Sequence, residues 1–200
     1  MQYKRNIKLL LSDLSKQKKI YRPTIFWKDL VSKFFKIFNN GKLDNFRRNE
    51  LALNFFVPTY NYYREKNIKK VVSLINKEKF AKRVKYFLKS HISGEKDALS
   101  DYRVFKASDN NNRLPYFHNF SEKKVGNPIE FFQIEGKNYT RSSLNYLLGL
   151  SFLKKKTKNF VPKTILEIGG GFGILGSIMS SSGVKNIKYI NVDLPPMSLI

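Results

Sequence analysis

A run of glycines closing a short apolar strand constrains this chain more than anything else in it. The stretch Thr164 to Pro196 reads TILEIGGGFGILGSIMSSSGVKNIKYINVDLPP. Thr164–Ile168 is β-branched and apolar, and three consecutive glycines end it. From Phe172 to Ser182, Leu175, Ile178 and Met179 recur at helical spacing, with Gly183 where a helix C-cap belongs. Ile187–Val192 is again apolar and β-branched, interrupted by Lys188 and Asn191, and Asp193 stands at its carboxyl end. The pattern predicts strand, glycine turn, helix and second strand. In a parallel βαβ unit of that kind the turn and Asp193 meet at the ligand edge of the sheet.

The spacing defines the ligand chemistry further. Gly169, Gly171 and Gly173 form GxGxG directly after the strand, with Gly170 between the first two. A turn without Cβ atoms lets a ligand touch backbone, and the following helix offers free N–H groups at its positive end. A carboxylate at Asp193 can accept both hydroxyls of a ribose, so the site suits an adenosine-containing cofactor. Gly171-Phe-Gly173-Ile-Leu-Gly176 also satisfies GxGxxG, the dinucleotide fingerprint. In that register Gly169 and Gly170 are an unexplained extension, and Glu167 brings an acid towards a pyrophosphate. A phosphate-free cofactor carrying a sulfonium and an ammonium suits that acid better.

LEIGGGFG resembles motif I of class I S-adenosylmethionine-dependent methyltransferases, and NVDLPP resembles the ribose-binding strand end of O-methyltransferases. Taken with GNPIEFFQIEGKNYTRSSLNYLLGLSFL, the span Gly126 to Pro196 resembles a bacterial family of sugar O-methyltransferases. The resemblance implies S-adenosyl-L-methionine as cofactor and a sugar or glycan hydroxyl as acceptor. Gly169, Gly170, Gly171 and Gly173 would carry the cofactor against backbone. Glu167 would support its methionine end, directly or through water, and Asp193 would hold its ribose. It further implies that Asn145 or Tyr146, on the helix before the first strand, faces the cofactor. It assigns no catalytic base and no metal. A class I sheet has seven strands, whereas only two are found before Ile200. The sequence is therefore expected to be C-terminally truncated, and the 200-residue chain by itself inactive. Two other functions stay open: an NAD(P)-dependent oxidoreductase or epimerase using Gly171–Gly176, and a non-enzymatic basic module on nucleic acid or a membrane surface.

Charge bears on the last of these. Lys and Arg number 38 against 15 Asp and Glu, a net charge of +23. All but three of the bases and all but two of the acids precede Lys163. Such an excess confers weak affinity for anionic membrane surfaces. Lys, Asn, Ile, Phe and Tyr are abundant together, however, as an A- and T-rich genome dictates, which favours no specific nucleic-acid partner. Cysteine is absent, so disulfides and thiolate metal sites are excluded. The longest apolar run near the N-terminus is Leu9–Leu11, too short for a signal peptide, and no run approaches the ~20 residues that span a bilayer. A cytoplasmic protein is expected.

The fold class expected is α/β: a mostly helical region over 1–125, then the first βαβ unit of a Rossmann-like class I methyltransferase sheet over 126–200. Helices are predicted over Lys4–Lys18, around Trp27–Phe38 and over Phe46–Phe56. The longest pattern, Asn67–His91, slips phase near Asn76 and divides there into two helices. Arg47 and Arg48 suit an anionic ligand, a solvated face or a structural salt bridge. Ser93–Phe120 is polar and reads as a long loop or lid. His91 and His118 flank it without metal-ligand spacing, and either could act as a base. A hairpin within Ile129–Tyr139 follows, then a helix capped by Ser142 or Ser143 with Leu144, Leu147, Leu148 and Phe152 inward.

Overall fold

The computed structural model describes residues 43–48, 62–109, 112–128, 130–171 and 173–193, with scattered positions before residue 35; at 43, 62–68, 87 and 90–93 only the backbone is described. The helices expected over Lys4–Lys18, Trp27–Phe38 and Phe46–Phe56 lie largely outside these residues. The long helical pattern separates where its phase slips, into α1 (Tyr62–Lys77) and α2 (Lys82–Ser93).

Half of the loop expected over Ser93–Phe120 is a helix, α3 (Glu95–Ser108). Ala98, Leu99, Tyr102 and Phe105 fall at helical spacing, and Glu95 and Asp97 in the first turn favour the positive end of the dipole. Ala98, Tyr102 and Phe105 are buried, and that burial outweighs the polar residues that give the segment a loop-like composition. Residues 112–120 form a strap, carrying a short 3-10 turn at Phe117–Asn119.

The hairpin forms as β1 (Phe132–Ile134) and β2 (Lys137–Tyr139), antiparallel with Phe132 opposite Tyr139. Glu135 (φ 50°) and Gly136 (φ 77°) are both left-handed, as a two-residue turn matching the strand twist requires. Helix α4 (Arg141–Lys156) is capped by Thr140, not by Ser142 or Ser143. The Thr140 hydroxyl accepts the Ser143 N–H at 3.2 Å, and the Ser143 hydroxyl accepts the Thr140 N–H at 2.9 Å. Ser143 is thus the reciprocal partner of a capping box. Leu144 and Leu147 are buried as expected and Leu148 partly so, but Phe152 is exposed. The inward stripe continues through Ser151 and Lys154, about 100° and 160° away from Phe152 on the helix.

Lys154 is buried because three groups receive it. Its Nζ lies 2.7 Å from Asp109 Oδ1, donates to the Pro115 carbonyl at 2.7 Å, and sits over the Phe117 ring. The Arg113 guanidinium donates to the carbonyls of Lys154 and Lys158, satisfying acceptors at the end of α4. The strap is thereby tied to α4. A second buried pair ties residues 43–48 to the same body. Arg47 Nη1 meets Glu122 Oε1 at 2.8 Å, and Glu122 Oε2 accepts from the Thr140 hydroxyl at 2.7 Å. Arg48 donates to the Asn127 carbonyl at 2.9 Å. Of the uses expected for these arginines, Arg47 makes the structural salt bridge and Arg48 bonds a backbone carbonyl.

Strands β3 (Thr164–Ile168) and β4 (Lys188–Val192) are parallel, joined by α5 (Ile174–Ser181), and register runs from Thr164 opposite Lys188 to Ile168 opposite Val192. The molecule is thus mixed α/β, with two small sheets among the described residues. One core joins Ala98, Tyr102 and Phe105 of α3 to Phe117 and Phe120 of the strap, Leu144 and Leu147 of α4, and Ile174, Ile178 and Met179 of α5. It draws on both sides of residue 125. The other face of β3 and β4 presents Leu166, Ile168, Ile190 and Val192, all exposed, with Ile168 at 79%. Among the described residues no helix is long and apolar enough to cross a membrane.

Candidate cofactor site

The strand pair delivers the expected juxtaposition. The Gly169 N–H extends the ladder by donating to the Val192 carbonyl at 2.8 Å, so the glycine turn starts beside the end of β4. Gly169, Gly171 and Gly173 have φ of 75°, 56° and 79°, a region that favours glycine. The Gly173 N–H donates to the Gly170 carbonyl at 3.0 Å, and α5 begins immediately after. Asp193 Oδ2 accepts the Gly171 N–H at 2.5 Å, so the acid at the end of β4 and the middle of the glycine turn are in contact. Asn191 completes the clamp, its Nδ2 donating to the Gly171 carbonyl at 2.9 Å.

Glu167 lies beneath this turn rather than in its mouth. It is buried, and two phenols hold it: Tyr146 of α4 donates to Oε1 at 2.5 Å, and Tyr189 of β4 donates to Oε2. Gly170 is glycine because of that carboxylate. A Cβ there would come within 2.4 Å of Glu167 Cδ and 2.6 Å of Asn191 Oδ1. Asn191 Oδ1 is itself buried without a hydrogen-bond partner. Glu167 Oε2 and this amide oxygen therefore converge on one side of the loop, an arrangement that suits a donor or a cation and repels an anion. Of the two α4 residues expected near the cofactor, Tyr146 reaches the loop's supporting acid and Asn145 is exposed.

Gly176 serves packing. A Cβ there would meet the Tyr189 ring at 2.7 Å, so helix and strand can approach only with glycine at this position. His118 lies elsewhere. The strap that carries it is joined to the far end of α5, where the Tyr116 N–H donates to the Ser182 carbonyl at 2.7 Å. Eight helical residues, about 12 Å, separate that end from the glycine turn, so His118 is not placed to serve as a base there. The side chain of His91 is outside the described residues. Among the described residues no three His, Asp or Glu side chains cluster as a metal site would require.

Asn191 and Tyr189 are the two residues that sequence spacing did not single out for the site. The signal was present. Residues 189, 191 and 193 share one side of a strand, and two of them are polar in an otherwise apolar run.

Burial, followed by the hydrogen bond to Glu167, raises the pKa of both Tyr146 and Tyr189. Burial also raises Tyr139, and raises Tyr102 to about 12, the latter aided by Glu135. The folded state thus holds these protons more tightly than the unfolded chain. Their contribution is complete below the ordinary tyrosine pKa of about 10 and is lost as pH rises through the folded values. Stability is expected to fall progressively above about pH 10. Tyrosinate absorbance measured in native and urea-unfolded protein should show a late-titrating group in the native state alone.

Compared with known proteins, the chain matches no family model, no curated protein and no solved structure.

Proposed function

We propose that this chain carries the cofactor-binding segment of an S-adenosylmethionine-dependent O-methyltransferase acting on a sugar hydroxyl. The observation that carries the proposal is the pair of acids around the glycine turn: Asp193 against Gly171, and Glu167 buried beneath Gly170. In this scheme the Gly169–Gly173 turn lies against the cofactor, and Asp193 accepts its ribose hydroxyls while keeping the Gly171 N–H. Glu167 and the unpartnered Asn191 oxygen make the loop's surroundings negative, which favours a cationic cofactor over a pyrophosphate. The β3–α5–β4 unit is then the first crossover of a Rossmann-like sheet. When bound, the cofactor supplies an electrophilic methyl. Held by the glycine turn and Asp193, it would present that methyl to the acceptor oxygen, whose proton a base would take.

The resemblance of LEIGGGFG and NVDLPP to motifs of sugar O-methyltransferases supports the same assignment and is the basis for the acceptor class. One observation favours a second reading, a nicotinamide-dependent oxidoreductase or epimerase. Gly176 against Tyr189 does what the last glycine of a dinucleotide fingerprint does, allowing close helix–strand contact. Incubation of the purified full-length protein with methyl-labelled S-adenosylmethionine and a panel of free and nucleotide-linked sugars separates the two. Label recovered as a sugar methyl ether is the expected result. Nicotinamide reduction on the same panel, with no methyl transfer, would establish the second reading instead.

A further inference from the structure

We propose that the tip of the α1–α2 hairpin docks on an anionic lipid surface. Isolated exposed apolar residues are ordinary, but here four gather near one end of a helical hairpin. Leu74 is 53% exposed, Phe80 46%, Val84 44% and Val71 39%. Leu74 shares its helix face with Val71 three residues before it, and with Lys70 and Lys77 four before and three after. Phe80 stands in the four-residue turn between the helices, and Val84 follows four residues on. The Lys85 ammonium donates to the Asn76 carbonyl at 2.9 Å across the hairpin, holding the two helix ends together.

The charges around these side chains are predominantly positive. Lys70, Lys77, Lys79, Lys82 and Arg83 are all exposed, and Glu78 is the one acid between Lys69 and Lys89. Cations beside exposed aliphatic and aromatic groups fit a lipid interface. Apolar side chains enter the boundary between headgroups and acyl chains while ammonium and guanidinium groups meet lipid phosphates. A nucleic-acid backbone would use the cations but leave Leu74, Phe80 and Val84 in water. The inference stands apart from the chemistry at the glycine turn, which lies on other elements. Membrane docking would bring the protein to acceptors carried on lipid.

The test is flotation of the purified protein with vesicles of phosphatidylcholine alone, or containing roughly one third phosphatidylserine. Binding to the mixed vesicles and little to the neutral ones is expected. Leu74→Ser/Phe80→Ser leaves the charge unchanged and should lower partitioning about tenfold through lost insertion alone. Leu74→Asp/Phe80→Asp should lower it further. Val104→Asp/Val125→Asp makes the same charge change at exposed positions off the tip and should have a small effect. The proposal is overturned if wild-type protein ignores the mixed vesicles, if the serine pair binds as wild type does, or if both aspartate pairs lose binding equally. It is overturned equally if duplex DNA displaces the protein from the vesicles while the serine pair binds that DNA unchanged. Circular dichroism and melting of each variant check that the fold is kept, and the serine pair serves if an aspartate pair unfolds.

Discussion

Lys154→Met is expected to destabilise the protein by about 3–5 kcal/mol, because it takes the ammonium from the buried Asp109 carboxylate and leaves it only the His118 imidazole at 3.7 Å. The pair is 2.7 Å apart with both side chains almost wholly buried, so water cannot take over from the lost ammonium. The same change removes the hydrogen bond to the Pro115 carbonyl and the cation above the Phe117 ring. The strap over residues 112–120 would lose its anchor on α4. For a chain of this size the loss corresponds to a fall of roughly 6–20 °C in Tm. Asp109→Leu combined with Lys154→Met should recover much of it, since an apolar pair carries no desolvation cost. Thermal melts of the single and double variants decide the matter. A single variant melting within a degree or two of wild type would mean that the pair is solvated and the strap held by other contacts.

The second large effect is expected at Gly170, where stability and site geometry fail together. Its φ is not in the left-handed region, so the requirement for glycine is spatial. In Gly170→Val the new side chain must displace the Glu167 carboxylate, and that carboxylate is fixed by the hydroxyls of Tyr146 and Tyr189. Forcing atoms into such a site costs about 1–3 kcal/mol, and a carboxylate pushed off its phenols adds an unsatisfied buried charge. The glycine turn would move with it. Gly149→Ala is the contrasting case. It lies in α4, a Cβ there meets nothing within 4 Å, and the substitution should stabilise by roughly 0.5–1 kcal/mol. Urea unfolding of the two variants should therefore shift in opposite directions.

The sequence disclosed most where one residue type had one reason to be present. Glycines after a β-branched run, a helical stripe and an acid at a strand end define β3, α5 and β4 almost residue by residue, because each is a local requirement. Residues with two plausible uses were less legible. Tyr102 and Phe105 carry helical spacing, but in a segment rich in Asp, Asn, Ser and Lys, and the balance is tipped by burial against α4. That contact is invisible in a local window. Lys154 lies in a basic run and suits the end of a dipole, yet it is buried, because Asp109 lies 45 residues away in sequence and beside it in space. Arg47 and Glu122 are paired for the same reason. At the site, Asp193 and Gly171 were foreseeable from topology. The phenol clamp on Glu167 was not, since it needs Tyr146 from a helix outside the βαβ unit.

Selection of S-adenosylmethionine by the acids around the glycine turn, as proposed, is measurable by calorimetric titration of the purified protein. S-adenosylmethionine and its demethylated product are expected to bind saturably, and NAD and NADP not to bind. Asp193→Ala should weaken that binding by roughly 10- to 100-fold, the loss of charged hydrogen bonds worth about 1.5–3 kcal/mol to the ribose. Saturable binding of a nicotinamide dinucleotide with no heat from either sulfur nucleoside would contradict the claim, and would return the glycine turn to the dinucleotide register of Gly171–Gly176.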